Sequence, residues 1–496
     1  MVVLLIFCFR VNSNYVGKTF LCVAWFNLLI KFNYLHFNKI ANSMRVFAVV
    51  SVYLPNFAAQ INQVSMNNFR KIIIWISAMC FLAVVTVSCS DSDNNDGGGN
   101  YRRTVILYMA AQNSLGASSC AVSDSLEVVD GASALLAEKD NIIMFIDDAK
   151  YPRIHRIFKS AEGKLYSTPV YQYNYDANSG DASTLQDVLS RVRSLYPSDS
   201  YGLVMWSHGM GWLPELMSLS PRAASRGICI DVGPNGNMST DKKSNGDLGS
   251  QMSITAMASA IQNSGIHFDY IFFDACLMQS LEVAWDLRKV TDYMVSSPTM
   301  TSSYGAYYSD QIRNGFFAYP TNDINIQKIV DTYYYDVMEN PQTYRYYEDQ
   351  GCVMSVIKMS ELENLTAATT SCIRTAMKDD RARSLSNFMY GYVSYEYTGY
   401  PDFFDPSVAF HELLPQADYE VWRDALDRCV IYRKGSYDYY IGMRARVIKK
   451  GIFDKEYGSC VSMFFPQAKY NVRRDFLDFN NAIMDTNWYK DVWPKD

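Results

Sequence analysis

Apolar residues along this chain gather in short unbroken runs that stop on polar or glycine residues, and segments of helical period separate the runs. Residues 104–109 (T-V-I-L-Y-M), 141–146 (N-I-I-M-F-I), 203–206 (L-V-M-W) and 268–276 (F-D-Y-I-F-F-D-A-C) contain too few polar positions for half-exposed strands. They read as strands buried on both faces. Between them, 183–195 puts Leu185, Val188, Leu189 and Val192 on one helical face, with Ser183 expected as N-cap and Gln186 completing a capping box. Residues 253–263 repeat the pattern with Ile254, Met257, Ala258 and Ile261, and Gly265 stands just past the end. A further helix is expected after the first strand, reaching about Ala137. Segments 153–159 and 165–173 alternate around Glu162-Gly163 and predict a hairpin. Strand and helix in alternation predict an α/β fold with a parallel-rich central sheet between helices.

Two further regions complete the outline. Residues 213–251 show no sustained period and are rich in Gly, Ser and Asn, as expected of a long functional loop. Past 325 the chain turns aromatic and mixed, with strand-like 353–357, 429–432 and 439–447 and helical 359–377 and 417–427. The organisation expected is a catalytic domain over 101–325 and a C-terminal α+β extension over 326–496.

The chemistry is expected where the strands stop. Open parallel sheets bind ligands beyond the carboxyl ends of their strands. The 203–206 run ends in Ser207-His208-Gly209, with Gly211 close behind, and the 268–276 run ends on Cys276. Alone, His208 could equally be a buried histidine in a turn, and Cys276 a structural thiol. Together, on strands joined by a loop-and-helix crossover, they emerge from one end of the sheet. An imidazole beside a thiol lowers the thiol's pKa and later protonates a leaving amine, which is the chemistry of acyl transfer. The amides of Gly209 and Cys276 could hold the oxyanion.

The stretches Y-G-L-V-M-W-S-H-G-M-G-W, F-D-A-C-L-M and L-E-V-A-W-D-L-R resemble the histidine and cysteine motifs of the clostripain family of cysteine peptidases. Y-M-A-A-Q-N-S-L and G-D-A-S-T-L upstream, and G-S-C-V-S-M-F-F-P downstream, extend the resemblance over most of the chain. It implies a caspase-like αβα sandwich, His208 and Cys276 as the catalytic dyad, and Gly209 with Cys276 as the oxyanion hole. It also implies a substrate-binding role for Asp274, whose simpler reading is a strand-end aspartate capping the next helix. Tyr304 stands where family members that cleave after arginine carry a second pocket aspartate. A phenol cannot give a guanidinium the bidentate partner that a carboxylate gives. The expected activity is therefore endopeptidase cleavage, after basic residues but with an altered pocket. Protein or peptide is the expected substrate. The resemblance also makes autocleavage within 213–251 an expectation, at Arg222, Arg226, Lys242 or Lys243. No cofactor is required by this chemistry; calcium stimulation is known in the family, although EF-hand spacing is absent. The alternative is a surface peptide-binding lipoprotein on the same fold without turnover.

Composition adds location. Asn67 to Lys71 form a basic start, residues 72–87 an apolar run, and Thr86-Val87-Ser88-Cys89 resembles a bacterial lipoprotein cleavage box. Residues 66–88 are thus expected to be a signal peptide, Cys89 the lipidated first residue and membrane anchor, and the acidic, Gly-rich 89–100 a tether. Translation is expected to start at Met66, leaving 1–65 outside the protein. Localisation is accordingly exported, on the outer membrane or cell surface. Residues 1–88 hold seven Lys or Arg and no acid; removing these from the 45 basic residues leaves 38 against 51 acidic ones. A balance that acidic argues against a nucleic-acid partner. The eleven cysteines include no C-x-x-C pair, and H-E-L-L-P at His411 lacks a second histidine, so no metal site is expected. Cys352 with Cys372 is a candidate disulfide.

Overall fold

Strand β1 (Arg103–Ala110) has every residue buried, and its side chains alternate between two cores: Ile106 and Tyr108 join one, Val105, Leu107 and Met109 the other. A strand with two buried faces belongs inside a sheet covered on both sides. The computed structural model bears this out. It describes residues 100–494 apart from 149–150, 214–226, 234–249, 303, 341–350, 378–390, 395–400, 437, 441–445, 449–457 and 467–478. The signal, Cys89 and the tether lie outside the described residues. Among those described, no helix is long and apolar enough to cross a membrane.

The remaining strands are, in chain order, β2 (Asp140–Asp147), β3 (Arg153–Lys159), β4 (Leu165–Gln172), β5 (Tyr201–Trp206), β6 (Ile228–Asp231), β7 (Ser250–Met252), β8 (Phe268–Asp274) and β9 (Thr291–Ser296). Then come β10 (Val353–Lys358), β11 (Gly391–Ser394), β12 (Pro401–Phe404), β13 (Val430–Gly435), β14 (Asp438–Tyr440) and β15 (Arg446–Ile448). Nine of them form one sheet in the order β13-β10-β9-β8-β5-β1-β2-β3-β4. The five central strands, β9 through β2, run parallel, and an antiparallel pair closes each side. Residues beyond 325 thus contribute β10 and β13 to the same sheet that carries β5 and β8.

Helices cover both faces, as an αβα sandwich requires. On one side lie α3 (Ala182–Leu195), α4 (Ile254–Ser264), α5 (Leu281–Leu287), α7 (Leu362–Met377) and α9 (Gln416–Cys429); on the other lie α2 (Cys120–Gly131) and α6 (Gln327–Met338). Two short helices bear on the site, α1 (Ser114–Ala117) and α8 (Pro406–Leu413). Ser253 caps α4 through the Ala256 N–H, and Gly265 takes the left-handed conformation at its end, as the spacing predicted.

Three local expectations are revised. Helix α3 begins at Ala182 with Asp181 at the cap position, so Ser183 lies inside the first turn. The open 213–251 segment contains β6 and β7, because four residues as short as I-C-I-D hide a strand from any test of period. Cys352 and Cys372 are both free thiols.

Candidate active site

Strands β5 and β8 pair in parallel with Trp206 opposite Asp274. Counting two residues on from that pair reaches His208 on one strand and Cys276 on the other, so the register sets both at the same depth beyond the sheet. The strand ends touch through backbone. A Cβ at Gly209 would stand 2.6 Å from the Cys276 carbonyl oxygen, closer than any side chain tolerates. Gly211 has φ +59° and approaches the Leu277 carbonyl equally closely. The glycines after His208 are therefore what let its loop lie against the Cys276 turn. Gly209 also bridges to Ile228 of β6, a contact made by the Met210 N–H donating to Gly227 O at 2.9 Å.

The Cys276 segment is held from both sides. Leu277 N–H donates to Thr299 O, and Gln279 N–H to Ser297 O, each at 3.0 Å. This ribbon brings the loop after β9 over the thiol. Thr301 then donates its N–H to Cys276 Sγ at 3.3 Å, with its hydroxyl at 3.6 Å. Below, Ser462 N–H donates to Gln279 O, Leu281 N–H to Ser462 O, and Phe464 N–H to the Glu282 carboxylate. G-S-C-V-S-M-F-F-P therefore acts as the support under the Cys276 turn, and Asp405 orders it by accepting from Ser459. Cys276 is half-buried; burial pushes its thiol above the ordinary range, and the Thr301 hydrogen bonds pull it back down.

His208 meets a residue that the sequence motifs did not single out. Its Nε2 lies 2.8 Å from Ser114 Oγ, in the first turn of α1. Asn113, fully buried, caps that turn and ties it down, its amide donating to Ala110 O, Ser207 Oγ and Ile230 O. The signal available was positional: Asn-Ser, beginning three residues past the end of β1, which neighbours β5, must fall at the histidine's edge of the sheet. Thr301 offered no such signal, since its closest contact is made by its backbone amide.

The predicted pocket residues lie apart in character. Asp274 is 7% exposed; its carboxylate accepts from Ala306 N–H and from the Tyr308 hydroxyl at 2.9 Å, and burial raises its pKa. Tyr304 is 38% exposed on the same loop. Gln279, three residues past Cys276, is fully buried and donates to Ser355 of β10. His411 lies on α8, its ring edge-on to Tyr419. Among the described residues, no group of three or more His, Cys, Asp or Glu is arranged to hold a metal ion.

Sequence comparison settles the lineage of this arrangement, because the clostripain family profile matches residues 107–496, which takes in both strand ends and the supporting segment. The chain belongs to the clostripain family. Clostripain of Hathewaya histolytica is 30% identical over 149 residues, a match spanning 28% of this chain and 26% of that relative. A secreted C11 cysteine protease of Bacteroides thetaiotaomicron, solved with an irreversible peptide inhibitor, is 26% identical with a TM-score of 0.59 over 78% of this chain and 98% of its own. An inactive zymogen C11 protease of Parabacteroides distasonis, at 23% identity, shares the fold with a TM-score of 0.62 over 80% of this chain and 99% of its own. The family match runs to the end of the chain, through the strands beyond residue 325 that close the sheet beside β9.

Proposed function

We propose that the chain is an exported cysteine endopeptidase that hydrolyses peptide bonds through an acyl-enzyme on Cys276, with His208 as its acid and base. The register of β5 against β8 supports this reading, because both groups follow the paired Trp206 and Asp274 by two residues beyond one sheet edge. The thiol proton passes to the imidazole and Sγ attacks the scissile carbonyl carbon. The oxyanion takes hydrogen bonds from the amides of Gly209 and Cys276. His208 then protonates the departing amine, deprotonates a water, and that water opens the thioester. Thr301, donating to Sγ, favours the thiolate. Calcium enters no step of this sequence.

The specificity we infer is a weakened preference for basic residues before the cut. Asp274 already spends its oxygens on Ala306 and Tyr308, and Tyr304 supplies a phenol where a carboxylate would be wanted. Residues 214–226 and 234–249, outside the described structure, carry Arg222, Arg226, Lys242 and Lys243 and are the segments we assign to autocleavage. Cys89, also outside it, is assigned as the lipid anchor on the strength of the T-V-S-C box and the basic and apolar segments before it. The other reading, a peptide-binding lipoprotein without turnover, draws its support from the altered pocket.

A peptidyl acyloxymethyl ketone tests the dyad directly. Wild-type protein should be alkylated at Cys276 and a Cys276→Ala copy left unlabelled. Wild-type protein that resists labelling across varied peptides, yet binds them, would establish the peptide-binding reading instead. A peptide-library digest tests the pocket, where strict arginine selection would overturn the weakened preference.

A further inference from the structure

We propose that Ser114 is the third member of this site, a positioning residue whose hydroxyl holds His208 Nε2 and so leaves proton exchange with Cys276 to Nδ1. The inference rests on the peptidase reading and adds to it the residue that orients the base. The contact itself is short, 2.8 Å from Ser114 Oγ to His208 Nε2. What gives it weight is that both partners are fixed by one buried side chain. Asn113 Nδ2 donates to Ala110 O at 2.8 Å, to Ser207 Oγ at 3.2 Å and to Ile230 O at 2.9 Å. Its Oδ1 accepts from Leu115 and Gly116, closing the turn that carries Ser114. Asn113 precedes Ser114 and Ser207 precedes His208, so a single buried amide sets the spacing of the serine and the histidine. Ser207 Oγ adds a second tie to Ala110 O at 3.0 Å.

An imidazole that must take a proton from a thiol and return it to an amine has two nitrogens, and a hydrogen bond at one decides which does the work. With the hydroxyl accepting from Nε2–H, the neutral ring keeps its lone pair on Nδ1, and the imidazolium formed during attack stays bonded to Ser114. A partner of this kind holds the ring in its productive tautomer and stabilises its charge without touching substrate.

The test compares Ser114→Ala, Ser114→Thr and Cys276→Ala in the full chain, using hydrolysis of a peptide from the library digest and the pH profile of kcat/KM. Ser114→Ala should lose about tenfold in kcat with KM little changed, the value of one hydrogen bond to a charged group. Its alkaline limb, which reports loss of the imidazolium proton, should move to lower pH. Ser114→Thr, which keeps the hydroxyl, should recover most of the rate. A thermal melt matching wild type separates the effect from misfolding. Ser114→Ala with wild-type kcat and an unmoved alkaline limb, beside an inactive Cys276→Ala, overturns the role of Ser114 and leaves the peptidase reading standing. Wild-type protein that neither hydrolyses peptides nor takes the ketone label defeats both.

Discussion

The carboxyl edge of the central sheet holds two clusters of buried titratable groups, and they are built on opposite plans. Beyond β5 and β8, Cys276 faces donors: the Thr301 N–H points at its sulfur, and it is half-buried. At the end of β2, Asp147 is fully buried beside other carboxylates. Gln112 donates to it and to Asp176, and its pKa is pushed up to about 8 by burial first, with Ser179 opposing the rise and Asp231 and Asp176 adding to it. Both groups are raised by burial, so a perturbed pKa does not by itself mark the reactive one. Access for a substrate distinguishes them: the thiol is half-buried and the carboxylate fully buried. The carboxylate cluster is a clamp, joining Gln112 after β1 to Ser179, whose N–H and hydroxyl both go to Asp231.

The comparison breaks most visibly at the thiol. Cys276→Ala should lower kcat/KM by at least about 10⁴-fold while the melting temperature moves little, since the nucleophile acts through bonds that alanine cannot form. Loss of stability on the same scale would mean that Cys276 serves the core. Next in size is Gly209→Ala. Its Cβ would meet a backbone carbonyl at 2.6 Å, so the two strand ends must part. The expected cost is about 1–3 kcal/mol in urea unfolding and about 100-fold in kcat/KM, because the proposed dyad, once displaced, loses its alignment. Activity and stability both at wild-type level would show that the close approach of the loops is not what positions the dyad.

A smaller effect is expected in the pocket. Tyr304→Asp restores a carboxylate on an exposed loop position and should raise kcat/KM for arginyl peptides about tenfold over the same peptides with norleucine. An unchanged ratio would remove Tyr304 from the specificity pocket.

The legibility of these regions in the sequence divides along the same line. β1, β2, β5 and β8 stand out because strands buried on both faces cannot alternate, and counting residues from their ends was enough to bring His208 and Cys276 to the same end of the sheet. Groups that act through backbone were silent. Thr301 holds the sulfur with an amide that any residue but proline could offer, and β9, T-D-Y-M-V-S, is too short and mixed to announce the loop it launches. Ser183 was misplaced for a related reason: Asp181 occupies the cap without a side-chain bond, so the chemistry of the better-looking cap residue decided nothing. Asn113 and Ser114 sat inside a matched motif, but their partners, Ser207 and His208, are supplied only by the pairing of β1 with β5.

The gentlest test lies at the other cluster, and its sign is fixed by linkage. Asp147 titrates near 3.8 in the unfolded chain and at about 8 in the folded one. Between those values the folded protein keeps a proton that the unfolded chain has released. Stability therefore falls as pH rises through this window, and the loss is complete above about pH 8. Asparagine mimics the protonated acid: it carries no charge, and its oxygen can still accept from Gln112. Asp147→Asn should match wild type near pH 4 and become increasingly the more stable of the two as pH rises toward 9, with kcat/KM at pH 7 within about twofold. Urea midpoints at the two pH values decide it. Parallel stability curves would mean that the proton is held elsewhere in the cluster. A collapse of activity with stability intact would erase the distinction between clamp and catalyst, because it would make the carboxylates around the end of β2 part of the same machine as the proposed dyad.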